Sequence, residues 1–105
     1  MEKKKSINLA ELNELLKSTK GITVIDVRSP EEFKEKHISF AINIPIEQLE
    51  TRKHNLDLRN TIITVCGKGG GRSEKAANFI RENYTAEVFF LQGGTFGWFE
   101  NEKLI

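Results

Sequence analysis

The sequence predicts an α/β domain organised around a mainly parallel sheet, and three observations carry that expectation. Short runs rich in β-branched residues alternate along the chain with segments of helical spacing. The runs at residues 22–28 and 61–66 are almost continuously apolar, as in strands covered on both faces. A glycine-rich stretch then joins the second run directly to a helix, an arrangement that forms ligand crevices at the carboxyl edge of parallel sheets. At 105 residues the chain suits a single domain, residues 1–105, with 1–5 as a solvated lysine-rich tail.

The elements follow in order. In "INLAELNELLKSTKG", Leu9, Leu12, Leu15 and Leu16 recur at helical spacing, with Asn8 as N-cap, Glu11 three residues on and Gly21 as a stop. "ITVIDVR" is a strand. "SPEEF" restarts a helix, with Ser29 as N-cap, Pro30 in the first turn and Glu32 as the capping-box acid, and that helix should end near His37. "FAINIP" is a short strand halted by Pro45, and "IEQLETRKHNL" reads as a polar helix with Ile46, Leu49 and Leu56 inward. "TIITVC" is the most hydrophobic strand. "RSEKAANFIRENY" is a helix with Ala76, Ala77, Ile80 and Tyr84 on its core face, "AEVFFL" the last strand, and "GGTFGWFENEKL" a turn into a terminal helix in which Phe96 and Trp98 pack the domain.

Composition narrows the function. The net charge of +1 gives no basis for a nucleic-acid or membrane partner. The basic N-terminus lacks an apolar segment behind it, so the expected location is the cytoplasm. One cysteine cannot form an internal disulfide, and without a surrounding histidine cluster it is no zinc site, so neither metal nor cofactor is expected. Its value is as a thiol.

Cys66 stands where a buried strand ends. Of residues 67–71 only Lys68 carries a β-carbon, so the backbone of Gly67, Gly69, Gly70 and Gly71 can curl and turn its N–H groups toward one centre. The helix beginning at Arg72 and Ser73 adds its positive end, and the Arg72 guanidinium offers a planar fork to an oxyanion. Such donors lower a thiol's pKa and make it a nucleophile. An inert buried cysteine would have no use for so many glycines. Other glycine loops do not fit: Lys68 is followed by Gly69 rather than Ser or Thr, which excludes a P-loop, and Arg72 stands where the dinucleotide fingerprint needs Gly or Ala.

"VIDVRSPEEFKEKHISFAINIP", "VCGKGGGRS" and "LQGGTFGW", in that order, resemble the successive signatures of the rhodanese (sulfurtransferase) family, and the resemblance covers the chain from about residue 6 to its end. It implies a three-layer domain with a central, mainly parallel five-stranded sheet and helices on both faces, and a catalytic cysteine at the first loop position, here Cys66. Members take a sulfane sulfur from thiosulfate or a similar anionic donor, hold it as a cysteine persulfide and pass it to cyanide, a thiol or a protein acceptor. By that resemblance Gly67, Lys68, Gly69, Gly70, Gly71 and Arg72 bind substrate and Ser73 supports them. Asp26 matches the family's "DVR" aspartate. A carboxylate inside an apolar strand needs a partner, and Arg28, two residues on and on the same face, is one candidate. Arg28, Glu32 and His37 read as residues that fix the turn, and His54 as a solvent residue.

The chain departs from the family in one respect. The usual loop is similar to Cys-x4-Arg, whereas Cys66 to Arg72 is Cys-x5-Arg, seven residues, similar to the loop of dual-specificity phosphatases and arsenate reductases of the same fold. Three readings therefore stand: sulfur transfer, oxyanion chemistry, and a binding module whose cysteine does not turn over. Val65 in place of a histidine before the cysteine, Lys68 in place of an acidic residue, and the absence of a second cysteine to resolve an oxidised one all weigh against the second.

Overall fold

A computed structural model describes residues 4–18, 20–49, 51, 56–57 and 59–102. Along the chain run β1 (Ser6–Ile7), α1 (Leu9–Lys17), β2 (Ile22–Asp26), α2 (Pro30–Glu35), β3 (Ile42–Asn43), a single 3₁₀ turn (Ile46–Gln48), β4 (Thr61–Val65), α3 (Arg72–Asn83), β5 (Val88–Leu91) and α4 (Gly94–Glu102). The five strands form one all-parallel sheet in the order β1-β5-β4-β2-β3.

Side chains alternate across the strands and build one core on each face. Ile25, Val27, Ile62 and Val88 meet Ala76, Ala77 and Ile80 of α3 on one side. Val24, Ile63, Val65 and Leu91 meet Leu12 of α1, with Phe33 of α2 and Trp98 of α4, on the other. The three-layer α/β expectation therefore holds. β4 lies inside the sheet, and all five of its residues are buried. Its carboxyl end delivers Cys66 to the point where helices of both layers begin.

Local capping explains where those helices start. Asn8 and Ser29 both form complete capping boxes, with Glu11 and Glu32 returning the bond to the cap N–H. The ends differ from expectation. α1 stops at Lys17, where Ser18 turns to extended backbone and its hydroxyl bonds back to Leu15 O, ahead of Gly21. α2 stops at Glu35, short of His37, whose ring instead stacks on Phe33 at 3.7 Å with Nδ1 2.7 Å from Phe33 O. Of the polar helix expected over 46–56, the described part is only the 3₁₀ turn, followed by a buried Leu49. Residues 50 and 52–55, His54 among them, lie outside the described residues.

At the start of the described chain the side chains of Lys4 and Lys5 are exposed. Lys5 O accepts from Phe90 N at 3.1 Å, and Lys4 pairs with Glu11, so the chain joins the sheet edge before β1 begins. Leu16, read as part of the apolar stripe, is 39 % exposed. No described helix is long and apolar enough to cross a membrane.

Candidate active site

The cysteine loop is shaped from outside by the turn after β5. The first amides of α4 donate to it, Thr95 N to Cys66 O at 2.8 Å and Phe96 N to Gly67 O at 3.0 Å. Those two carbonyls are thereby held on the outer wall, away from the sulfur. The backbones approach too closely for side chains: a β-carbon on Gly69 would lie 2.2 Å from Gly93 N, and one on Gly94 2.3 Å from Cys66 O. Both glycines also have positive φ, 82° and 56°. "LQGG" is thus the back wall of the cysteine loop, a role its glycine pair does not disclose until the two loops are brought together.

Inside the loop, Cys66 is buried at 5 % exposure. Its Sγ lies 2.8 Å from Gly70 O and 3.3 Å from Ser73 Oγ, and that hydroxyl reaches Gly70 O at 3.2 Å. Burial pushes the thiol up. The Ser73 hydroxyl and the backbone amides of Gly70, Ser73 and Gly69 pull it down, and they prevail, leaving the thiol below its ordinary range. Ser73 is fully buried and its carbonyl accepts from Thr64 Oγ1 at 2.7 Å, so the hydroxyl beside the sulfur is fixed from β4 as well as from α3. Gly71, at φ 49° and ψ −106°, makes the turn into α3 in a conformation that disfavours a side chain. Lys68 is exposed on the rim.

Arg72 is placed differently from the sequence expectation. Its guanidinium does not offer a free fork to the loop: Nη1 and Nη2 bind Glu32 Oε1 and Oε2 at 2.8 and 3.1 Å. Arg72 opens α3 and Glu32 lies in the first turn of α2, and both helices start at the carboxyl edge of the sheet. Glu32 therefore does more than cap its own helix. Arg72 foremost, and Ser29 after burial is set against it, hold its carboxyl at about 2.

Asp26 and Arg28 form the pair that the strand pattern suggested. Nε and Nη2 of Arg28 grip the carboxylate at 2.8–3.2 Å, Arg28 N donates to Oδ1 at 3.0 Å, and both side chains are at most 2 % exposed. The remaining reach of Arg28 goes to Lys36 O at 2.6 Å, and Asn43 Nδ2 ties the carbonyls of Asp26 and Arg28. With Nε, Nη2 and the backbone N–H of Arg28 all engaged, the pair locks the turn after β2. Asp26 is in register with Val65, one residue before the cysteine, but belongs to the opposite side of the sheet from Cys66, which packs in the α3 core.

Beside the loop lies an open cleft lined by Arg28, Glu32, Glu35, Lys36 and Phe96. Phe96 does not pack the core as its type suggested. It is 51 % exposed and its ring edge would stand 3.0 Å from a β-carbon on Gly67, so it walls the approach to the loop. Trp98, by contrast, packs into the core around Leu12 and meets Phe40 edge-on at 5.6 Å. No group of three or more described His, Cys, Asp or Glu side chains is placed to hold a metal.

Comparison with known proteins agrees with this architecture. The family model described as a rhodanese-like domain matches residues 8–101. The YqhL protein of Bacillus subtilis (strain 168) is 39 % identical over 75 residues, 71 % of this chain and 59 % of that protein, so the chain spans little more than half the length of that relative. The thiosulfate sulfurtransferase GlpE of Shewanella oneidensis is 30 % identical over 91 residues, 85 % of this chain and 89 % of its own. Among solved structures, a rhodanese-related protein from Thermoplasma volcanium superposes with a TM-score of 0.81 at 33 % identity, covering 92 % of each chain.

Proposed function

The chain belongs to the rhodanese-like domain family, and from that premise we propose that it is a sulfurtransferase working through a persulfide on Cys66. The observation that carries this reading is one buried thiol at the carboxyl end of β4 with the Ser73 hydroxyl 3.3 Å from its sulfur, in a loop whose hydroxyl and backbone hydrogen bonds hold the thiol below its ordinary range.

The chemistry balances in two steps. The Cys66 thiolate attacks the outer sulfur of thiosulfate, a new S–S bond forms to Cys66, the S–S bond of the donor breaks, and sulfite departs with the electron pair. A thiolate or cyanide then attacks the outer sulfur of the persulfide, leaving as a new persulfide or thiocyanate and returning the Cys66 thiolate. Splitting the transfer in this way gives ping-pong kinetics and needs no cofactor. The terminal sulfur of the persulfide carries the negative charge, and the loop amides are its natural donors. Lys68 at the rim attracts the anionic donor, and Ser73 reorients its proton from Gly70 O to sulfur as charge develops. The proposed reaction suits a compartment that keeps thiol acceptors reduced, as the cytoplasm does.

Intact-mass measurement after thiosulfate treatment tests this directly. The expected result is a gain of one sulfur atom, reversed by cyanide and absent from Cys66→Ser. Cleavage of an aryl phosphate by Cys66, with no sulfur gained, would overturn it in favour of oxyanion chemistry.

A further inference from the structure

The charge at the mouth of the loop is set by a residue forty positions away in sequence from the arginine it controls. Arg72 is the guanidinium nearest the loop in sequence, six residues after the cysteine, and both of its terminal nitrogens are committed to Glu32. Arg28, which lines the cleft beside Glu32, is spent on buried Asp26. The guanidinium charges of Arg72 and Arg28 are therefore each matched by a carboxylate at hydrogen-bond distance.

We infer that Glu32 is a specificity-determining positioning residue: by neutralising Arg72 it lowers the site's preference for a dianionic sulfur donor relative to a monoanionic persulfide. This rests on the sulfur-transfer reading above. The physical reason is that a donor of charge −2 gains twice as much as one of charge −1 from any positive charge at the rim, so cancelling that charge removes more from the dianion. Glu32 is well suited to do so. Its first oxygen is held by Ser29 N and Oγ at 3.2 and 3.0 Å, so the carboxylate is fixed before Arg72 reaches it. At about 2, its pKa keeps it charged throughout the neutral range. The bidentate fork then holds Arg72 in one geometry in place of leaving it free to close on a ligand.

Glu32→Gln separates this role from capping, because glutamine also completes a capping box. Single-turnover sulfur loading of Cys66 is measured by intact mass with thiosulfate, charge −2, and with cysteine persulfide, net charge −1. One extra positive charge at a partly screened rim should raise loading about fivefold per unit of donor charge. The thiosulfate-to-persulfide rate ratio should therefore rise about fivefold, an effect that shrinks with added salt and vanishes when Arg72→Ala is added. An unchanged ratio overturns the inference. Equal losses with both donors, accompanied by a lower melting temperature, would mark Glu32 as a capping residue only and overturn it likewise.

The inference is decided even if sulfur transfer itself fails. Alkylation of Cys66 by iodoacetate, an anion, and by neutral iodoacetamide reports the same charge with no sulfur donor present. Glu32→Gln should raise the iodoacetate-to-iodoacetamide rate ratio about fivefold, and an unmoved ratio refutes the role of Glu32 whatever the reaction. Absence of sulfur loading from either donor in either protein, with the alkylation ratio moved as expected, would sink the sulfur-transfer reading and leave the charge assignment standing.

Discussion

Replacing Gly94 by alanine tests whether the turn after β5 shapes the cysteine loop. The new β-carbon would stand 2.3 Å from Cys66 O, 2.7 Å from Gly69 N and 2.8 Å from Gly67 O, all backbone atoms that cannot swing aside. The residue also sits at φ 56°, where an L side chain costs about 1–2 kcal/mol. Overpacking of a close contact adds about 1–3 kcal/mol. A total on the order of 2–5 kcal/mol corresponds, at roughly 4–8 °C per kcal/mol for a domain of this size, to a fall in melting temperature of about 10 °C or more. To relieve the clash α4 must retreat, lengthening the bonds from Thr95 N and Phe96 N that hold the Cys66 and Gly67 carbonyls outward. Cys66 alkylation at neutral pH should therefore slow as well. Gly97→Ala is the control, because its β-carbon would meet nothing within 4 Å and its φ is not positive. Inside α4 that change should raise stability by up to about 1 kcal/mol. Melting of Gly94→Ala within about 2 °C of the parent would refute the reasoning, since either cost alone exceeds that.

Two further outcomes follow from the same geometry. Ser73→Ala removes the hydroxyl 3.3 Å from the sulfur, a hydrogen bond to a charged group worth about 1.5–3 kcal/mol. Iodoacetamide alkylation should slow about tenfold at neutral pH and converge with the parent at high pH, whereas a superimposable pH profile would show that the hydroxyl does not stabilise the thiolate. Acid titration of stability probes Glu32, whose pKa falls on folding from 4.5 to about 2. A depressed carboxyl contributes its stability above the unfolded value and loses it as pH drops through the folded one. The parent should therefore lose stability between pH 4.5 and about 2 that Glu32→Gln does not, by no more than about 1 kcal/mol for so exposed a pair. Parallel denaturation curves for the two proteins across that window would count against the ion pair.

What sequence could show and what it could not divides along the range of the interactions. The capping boxes at Asn8 and Ser29 close within four residues, so their signals are local and the helix starts are readable. Asp26 and Arg28 are two apart on one strand, and their pairing is readable for the same reason. β1 has only two residues, and its existence depends on β5, more than eighty positions on. Glu32 was obscured by its own legibility: the capping box accounts for an acid at that position, and nothing near it in sequence indicates a second partner at Arg72. Phe96 departs from the expectation because an aromatic in a terminal helix usually faces the core, while here Trp98 takes that place and Phe96 is left at the loop.

The seven-residue loop admits a physical account on the same terms. An additional residue between cysteine and arginine widens an anion cradle only if every added peptide turns its N–H inward. Here the Gly70 carbonyl lies 2.8 Å from the sulfur and is anchored there by Ser73 N and Oγ, each at 3.2 Å. Gly71, in a backbone region that side chains avoid, makes that inward turn possible. The extra length is thus taken up by a carbonyl that fills part of the cradle with negative partial charge. Once sulfite has left, the single transferred sulfur on Cys66 would need room for one atom beside that oxygen, whereas a phosphoryl group held on the cysteine would bring three further oxygens into the cradle. With Arg72 neutralised by Glu32, the cationic fork that oxyanion chemistry requires is also engaged. Loop length alone is similar to that of the phosphatases, and the direction of the Gly70 carbonyl supports the sulfur transfer we propose.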